Sequence, residues 1–392
     1  MKMNGGVHSR SRRRRGRGST KPLACHALPG QVVLVLQGGG AVGAFQAGVI
    51  QAMHEAGVEP DWVIGTSIGA INGAIIAGNP PERRVERLHA FWDMVERYGW
   101  PFADSFALRA VGDPLANLTA LTRGIPGFFA PNPEALLGVH APVGLERAAY
   151  YTTSPLSQTL RSLVDFALVN AKSTRFTVGA VNARSGVMRY FDSRDDIVGV
   201  EHVMASAALP PAFPAIRIDG EPYWDGGIYS NTPIEIVLDD RSRCDSVIFA
   251  VQLWNADGPE PESIWQVLGR QKEIQYASRA TSHIARQKQI HQLRSVITEL
   301  AGHIGATRRK SKAVEELAAY GCTTTMHVVE LTAPRLGGED LTKDIDFTRA
   351  SLRARWEAGY ASAKESITSA PWEHPVNPLE GVVIHNTVSG LS

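Results

Sequence analysis

Gly65-Thr66-Ser67-Ile68-Gly69 fits the pattern G-x-S-x-G, in which a serine stands on a sharp strand-to-helix turn and flanking glycines let neighbouring backbone pack close. On such a turn Ser67 would be exposed at the carboxyl end of a strand, with a helix N-terminus behind it to stabilise developing negative charge. That is the setting of a nucleophile. The same residues also suit a helix-capping serine in a glycine-rich turn. A second glycine run, Gly38-Gly39-Gly40-Ala41-Val42-Gly43, lies between a strand-like and a helix-like stretch. Side-chain-free N–H groups beside Ser67 suit an oxyanion hole, in which each donor contributes about 2.7–4 kcal/mol.

The second run also satisfies G-x-G-x-x-G, the fingerprint of a dinucleotide-binding turn. That fold needs an acid at the end of its second strand, to bind the ribose. Here the second strand runs into Gly65-Thr66-Ser67, and the nearby acids Glu59 and Asp61 precede it, so a nicotinamide reading loses its anchor. A nucleophilic serine also needs a proton acceptor. None of the 12 histidines sits in a distinctive glycine-rich loop, and His89, His283 and His291 lie in helical patterns. Asp225 is the better candidate, in Tyr223-Trp224-Asp225-Gly226-Gly227 ahead of Asn231-Thr232-Pro233, which reads as an N-cap and a proline opening a helix. Alone, Asp-Gly-Gly is a turn signal. A serine–acid–histidine arrangement would instead call on His327 or His374.

The elements that must position these residues are legible around them. Gln31 to Gln37 is a continuous β-branched and leucine run suited to a strand buried on both faces. Val42, Phe45, Val49, Met53 and Ala56 then recur at helical steps up to Gly57, and Trp62-Val63-Ile64 reads as a second strand before a small-residue helix. Strand, helix, strand predicts a parallel sheet with helices on both faces. Residues 100–156 are rich in proline and glycine and read as an insertion, a candidate lid. Within it Phe128 and Phe129 suit either an apolar flap over the site or permanent core. Arg175–Asn182 and Gly186–Phe191 predict a hairpin, and Val247–Gln252 another buried strand. Beyond Trp254 a long helical pattern carries Ile274, Ala277, Ile284, Ile290, Leu293, Ile297 and Leu300. A strand-like stretch from Met326 to Leu331 and a helix from Thr348 with Leu352, Trp356 and Tyr360 on one stripe follow it.

The 392 residues are 44% apolar and 20% charged, and no apolar run approaches the ~18 residues of a membrane-spanning helix. Disordered, collagenous and membrane-spanning classes are excluded. The net charge of +1 hides an asymmetry: residues 1–30 hold eight of the 40 basic residues and no acid, leaving 32 basic against 39 acidic residues in the body. This tail reads as a disordered segment. If it has a partner, that partner is a phosphate-rich surface, and peripheral contact with an anionic membrane is expected in preference to nucleic acid. The Arg-rich tail lacks the apolar stretch of an export signal. Cys25, Cys244 and Cys322 form no C-x-x-C pair, so reduced thiols and a cytoplasmic location are expected.

Together these residues resemble the patatin-like lipid acyl hydrolases, which include the calcium-independent and cytosolic phospholipases A. Gly38-Gly39-Gly40-Ala41-Val42-Gly43 is similar to the family's oxyanion loop, Gly65-Thr66-Ser67-Ile68-Gly69 to its elbow and Asp225-Gly226-Gly227 to its D-G-G/A motif. Ala205 to Pro214 resembles the loop ahead of the family's catalytic aspartate. Val42 stands where many members carry Arg or Lys. The resemblance implies a three-layer α/β/α fold with a central, mostly parallel sheet over residues 31–255. Residues 256–392 resemble the C-terminal extension of a bacterial subgroup, and a mainly helical extension is expected there. It further implies a Ser67/Asp225 dyad with no histidine, an oxyanion hole drawn from Gly38, Gly39, Gly40 and Ala41, and supporting glycines at Gly43, Gly65, Gly69, Gly226 and Gly227.

The implied activity is hydrolysis of lipid acyl esters through an acyl-enzyme, with a lipid substrate as partner and neither metal nor cofactor. The alternatives are an esterase for short or polymeric hydroxyacyl esters and a non-catalytic lipid-binding or regulatory protein. Intact Ser67 and Asp225 speak against the second.

Overall fold

Strand β1 (Gln31–Leu36) lies at the centre of the molecule because alternate residues feed two different cores. Val32, Leu34 and Leu36 enter one apolar cluster, Val33 and Val35 the other. The computed structural model describes residues 28–96, 123–240, 242–377 and 380–386. Most of the basic tail and residues 97–122 of the insertion and its approach lie outside the described residues.

After β1 a short turn leads into α1 (Ala44–Glu55), then β2 (Trp62–Gly65), α2 (Ile68–Ala77) and α3 (Pro81–Val95). A two-residue ribbon pairs β3 (Ala130–Pro131) with β4 (Tyr151–Thr152). The expected hairpin is β5 (Arg175–Asn182) with β6 (Met188–Asp192), antiparallel. Then come α4 (Val200–Ser206), β7 (Ile216–Ile218), β8 (Glu221–Asp225) and β9 (Ser246–Gln252). The chain continues through α5 (Ile264–His303), β10 (Met326–Thr332), α6 (Arg349–Ser369) and β11 (Val382–Asn386). The sheet has nine strands in the order β11-β10-β9-β1-β2-β5-β8-β7, with β6 on the far edge of β5. From β11 to β5 every neighbouring pair is parallel, and β6, β7 and β8 are antiparallel additions.

One face carries α1, α3 and α6, and the other carries residues 234–238 and Ile284 of α5, giving three layers. The boundary expected at residue 255 does not divide this sheet. β10 pairs with β9 over seven residues, and β11 extends the sheet beyond it. On the helical side α6 lies directly on α1: a Cβ on Gly48 would sit 1.9 Å from the Trp356 carbonyl oxygen, and one on Gly359 equally close to that of Phe45. Trp356 and Tyr360 reach along α1 to Gln51 and Glu55, each at 2.6 Å. The apolar stripe read along α5 is covered only in part, since Ala277 and Ile284 are buried whereas Ile274, Leu293 and Leu300 face solvent.

The Phe128–Phe129 pair is buried in an aromatic cluster. Both rings are 7% exposed, and they cluster with Tyr151, Phe213 and Phe347 at centroid separations of 4.8–6.1 Å.

Candidate active site

Ser67 joins β2 to α2 with φ 56° and ψ −124°, a conformation that costs a non-glycine residue roughly 1–3 kcal/mol and persists only where its surroundings impose it. Gly65 and Gly69 impose it: a Cβ on Gly65 would lie 2.3 Å from the Gly69 carbonyl oxygen, and one on Gly69 2.2 Å from that of Leu36. The Ser67 N–H donates to the Oγ of Ser206, at the end of α4, at 3.1 Å. Behind the turn every residue of α2 is buried. Its Asn72 donates to the Gly43 carbonyl at 3.1 Å and to Gln46 at 2.9 Å, tying the elbow helix to the base of the glycine loop. Ser67 itself remains partly exposed.

Asp225 reaches Ser67 because β5 changes partner along one edge. Gly65 of β2 pairs with Val178, and two residues further along Asp225 of β8 pairs with Ala180, while β6 takes the other edge. At about 3.3 Å per residue, β8 ends against the turn that follows β2. The Asp225 carboxylate accepts a hydrogen bond from the Gly227 N–H at 2.7 Å, and the Ser67 hydroxyl lies close enough to favour its charged form. Asp225 is 2% exposed. Burial pushes its pKa up to about 7 from an ordinary 3.8, and the Ser67 hydroxyl and the Gly227 N–H pull the other way. Gly226 leaves room for β5, since a Cβ there would lie 2.5 Å from the Gly179 carbonyl oxygen.

Among the described residues no histidine bonds to either group. His327 pairs its Nδ1 with Nε2 of His385 at 3.0 Å. It lies beside Val247, which lies beside Val32, at the amino ends of the strands and opposite the end that carries Ser67. His374 is exposed beyond α6.

The glycine loop supplies fewer free donors than its sequence suggests. The Gly38 N–H donates to the Asn231 carbonyl at 3.2 Å and the Ala41 N–H to the Asp344 carbonyl at 2.8 Å, so neither is available for an oxyanion. Gly39 and Gly40 have no backbone acceptor among the described residues. Their direction follows from the planar trans peptide, in which C=O and N–H point oppositely. The Gly38 carbonyl is held by the Asn231 side-chain amide at 3.1 Å and by Trp254 Nε1 at 2.8 Å. The Gly39 carbonyl accepts from the Val42 N–H at 3.2 Å. Both following N–H groups are thereby turned to the other side of the loop. Gly38 itself packs on the elbow, where an added Cβ would stand 2.9 Å from that of Ser67.

Trp254, Tyr276 and Asp344 are thus parts of the site that motif reading does not single out, while Ser206 and Asn231 lie in motifs read from the sequence but take roles there that the motifs do not indicate. Asn231 caps no helix: the next helical residues, Glu235–Leu238, have Ile234 at their N-cap, and the Asn231 amide N–H donates instead to the Gly38 carbonyl. Tyr276 of α5 stacks on Trp254 at 5.1 Å. Burial raises its phenol to about 12, and the Asp225 and Asp344 carboxylates add to the shift. Among the described residues no group of three or more His, Cys, Asp or Glu side chains is placed to hold a metal, and no helix is long and apolar enough to cross a membrane.

A family model described as patatin-like phospholipase matches residues 34–238, and a second, described as patatin phospholipase, matches residues 274–379. The lysophospholipase NTE1 of Candida glabrata is 26% identical over 259 residues, covering 62% of this chain and 12% of that protein. The lysophospholipase NTE1 of Saccharomyces cerevisiae is 27% identical over 246 residues, covering 60% and 11%. The chain therefore spans about a tenth of the length of these relatives. Among solved structures, VipD from Legionella pneumophila aligns over 86% of this chain and 67% of its own, with 16% identity and a TM-score of 0.38. The first family model takes in the glycine loop, the elbow and the Asp-Gly-Gly turn and covers more than half of the sequence, and the chain belongs to the patatin-like phospholipase family.

Proposed function

We propose that the protein hydrolyses acyl esters of lipids, as a phospholipase A or lysophospholipase, through an acyl-enzyme on a Ser67/Asp225 dyad. The observation that carries this reading is the placement of the Ser67 hydroxyl, on a strained elbow, beside the buried Asp225 carboxylate, close enough to stabilise its charge against a burial that pushes its pKa up to about 7. A base poised at the operating pH is the most effective proton acceptor. In acylation, Ser67 Oγ bonds to the ester carbon as its proton passes to Asp225. The carbonyl electrons move onto oxygen, which the Gly39 and Gly40 N–H groups hold. Collapse of this intermediate breaks the bond to the alcohol, which leaves with the proton from Asp225. Water then repeats the sequence on the acyl-Ser67, releasing the fatty acid and restoring the serine. Lipid substrates are supported by family membership and by the lysophospholipase names of the relatives.

The test is to label the purified protein with a fluorophosphonate, map the adduct and measure turnover of p-nitrophenyl esters of increasing length beside lysophosphatidylcholine and diacyl phospholipids. Adduct on Ser67 and turnover rising with chain length are expected. A modified residue other than Ser67 would overturn the assignment.

A further inference from the structure

The glycine loop is gripped from the C-terminal region. Asp344 accepts the Ala41 N–H through its main-chain oxygen, and the approach is so close that a Cβ on Gly40, which has φ +54°, would stand 2.2 Å from that oxygen. The Asp344 side chain is in turn held by Lys272 Nζ of α5 at 2.6 Å, and the same ammonium reaches the Leu341 carbonyl at 3.4 Å. Lys343, 7% exposed, pairs with Glu273 at 2.8 Å and with Glu339 at 3.8 Å. Its carbonyl accepts from the buried Arg355 of α6 at 2.7 Å. Both lysine ammoniums also lie over the ring of Trp254, at 5.6 and 5.0 Å, and Trp254 holds the other end of the loop through the Gly38 carbonyl. Buried charges are expensive unless paired. A cluster this dense, placed where both ends of a four-residue loop are fixed, calls for an explanation beyond packing.

We propose that Lys272, Lys343 and Asp344 are positioning residues for the oxyanion loop: by locking the Asp344 carbonyl onto the Ala41 N–H they hold the Gly39 and Gly40 donors at the reacting carbonyl, without touching substrate. This rests on the reading of Gly39 and Gly40 as the oxyanion donors. Donors fixed in advance stabilise a transition state more than donors that must be ordered during reaction, and a misplacement near 1 Å costs on the order of 100-fold in rate.

Lys272→Met and Asp344→Asn test it in the full chain. Both positions are partly exposed, and Lys343 is left intact so that no buried ammonium partner is orphaned. Steady-state kinetics on a p-nitrophenyl ester, the inhibition constant of a trifluoromethyl ketone that adds to the serine, and thermal melting are measured together. Expected are a kcat lower by roughly 10- to 100-fold, a KM within about twofold of the parent, a ketone affinity that falls in step with kcat/KM, and recovery in Lys272→Arg. Parent-like kcat in both variants, or a lower kcat with ketone affinity unchanged, overturns the proposal. Ser67→Ala separates this from the underlying reading. If Ser67→Ala still turns over ester, the site itself is misassigned, whereas an inactive Ser67→Ala beside parent-like Lys272→Met and Asp344→Asn rejects only the positioning role.

Discussion

The main-chain N–H of Ser67 donates to the hydroxyl of Ser206 at 3.1 Å, across 139 residues of sequence. Ser206 is fully buried, so the bond is made away from water and fixes the peptide that precedes the reactive hydroxyl. Replacing Ser206 with Ala leaves that N–H without a partner, at a cost of about 1–3 kcal/mol, and frees the elbow to relax from its strained conformation. Thermal melting should show the lost stability. The kcat on a soluble ester should fall several-fold with KM nearly unchanged, whereas Ser206→Thr, which keeps the acceptor, should recover activity if its methyl group is accommodated.

On the proposed dyad, burial of Asp225 sets a pH dependence of activity. The carboxyl is a base only when ionised, and its pKa is pushed up to about 7. The kcat/KM profile should therefore rise tenfold per pH unit below that value and level off above it. A profile already flat from pH 5 upward would show that the reacting base is another group.

The same shift acts on stability, with the opposite sense. Unfolded, Asp225 ionises near its ordinary 3.8, while folded it keeps its proton up to about 7. Between those values unfolding releases a proton, so this residue's contribution falls as pH rises and is constant above about 7. Asp225→Asn lacks the ionisation. Its stability relative to the parent should climb from pH 4 to pH 8 by a few kcal/mol, at about 1.4 kcal/mol per pKa unit. Denaturant titrations of both proteins at pH 4, 6 and 8 measure this difference directly, and a difference independent of pH would contradict a raised Asp225.

The parts of this site that were legible in the sequence are those whose signals are local. Gly65 and Gly69 bracket Ser67 because the elbow folds its own backbone back on itself at Gly65 and packs against β1 at Gly69, a requirement that leaves a G-x-S-x-G spacing in the sequence. Leu352, Trp356 and Tyr360 repeat at helical steps because one face of α6 must meet α1. Ser206 carries no such signal, since a serine among alanines looks the same whether or not its hydroxyl meets a distant N–H. Ala41 illustrates the converse. Its N–H looked available beside the glycines, and it is taken by Asp344, 303 residues away. Leu293 and Leu300 follow the same logic, for their spacing marks a helix face that nothing among the described residues covers.

Phe128 and Phe129 are expected to act as core. Their rings fill one aromatic cluster with Tyr151, Phe213 and Phe347, and phenylalanine truncations in such settings cost about 3–5 kcal/mol each. The double replacement with Ser should lower the melting temperature sharply and remove short- and long-chain esterase activity together. A folded double variant that loses only long-chain activity would mean that the pair moves during turnover.

The proposed dyad is most directly tested by the histidines it dispenses with. His327 lies at the amino ends of the parallel strands, its ring engaged with His385, and His374 is exposed beyond α6. Neither can contact Ser67 without rebuilding the sheet. Ser67→Ala should therefore abolish turnover, and Asp225→Asn should lower it by about 100- to 10,000-fold, as expected for loss of a general base, with circular dichroism unchanged. His327→Ala and His374→Ala should keep kcat/KM within about threefold of the parent, apart from some lost stability in His327→Ala, whose partner His385 is left without its ring contact. If a folded histidine variant proved as inactive as Ser67→Ala, Asp225 would have to be reassigned from accepting the serine proton to orienting the imidazole that does.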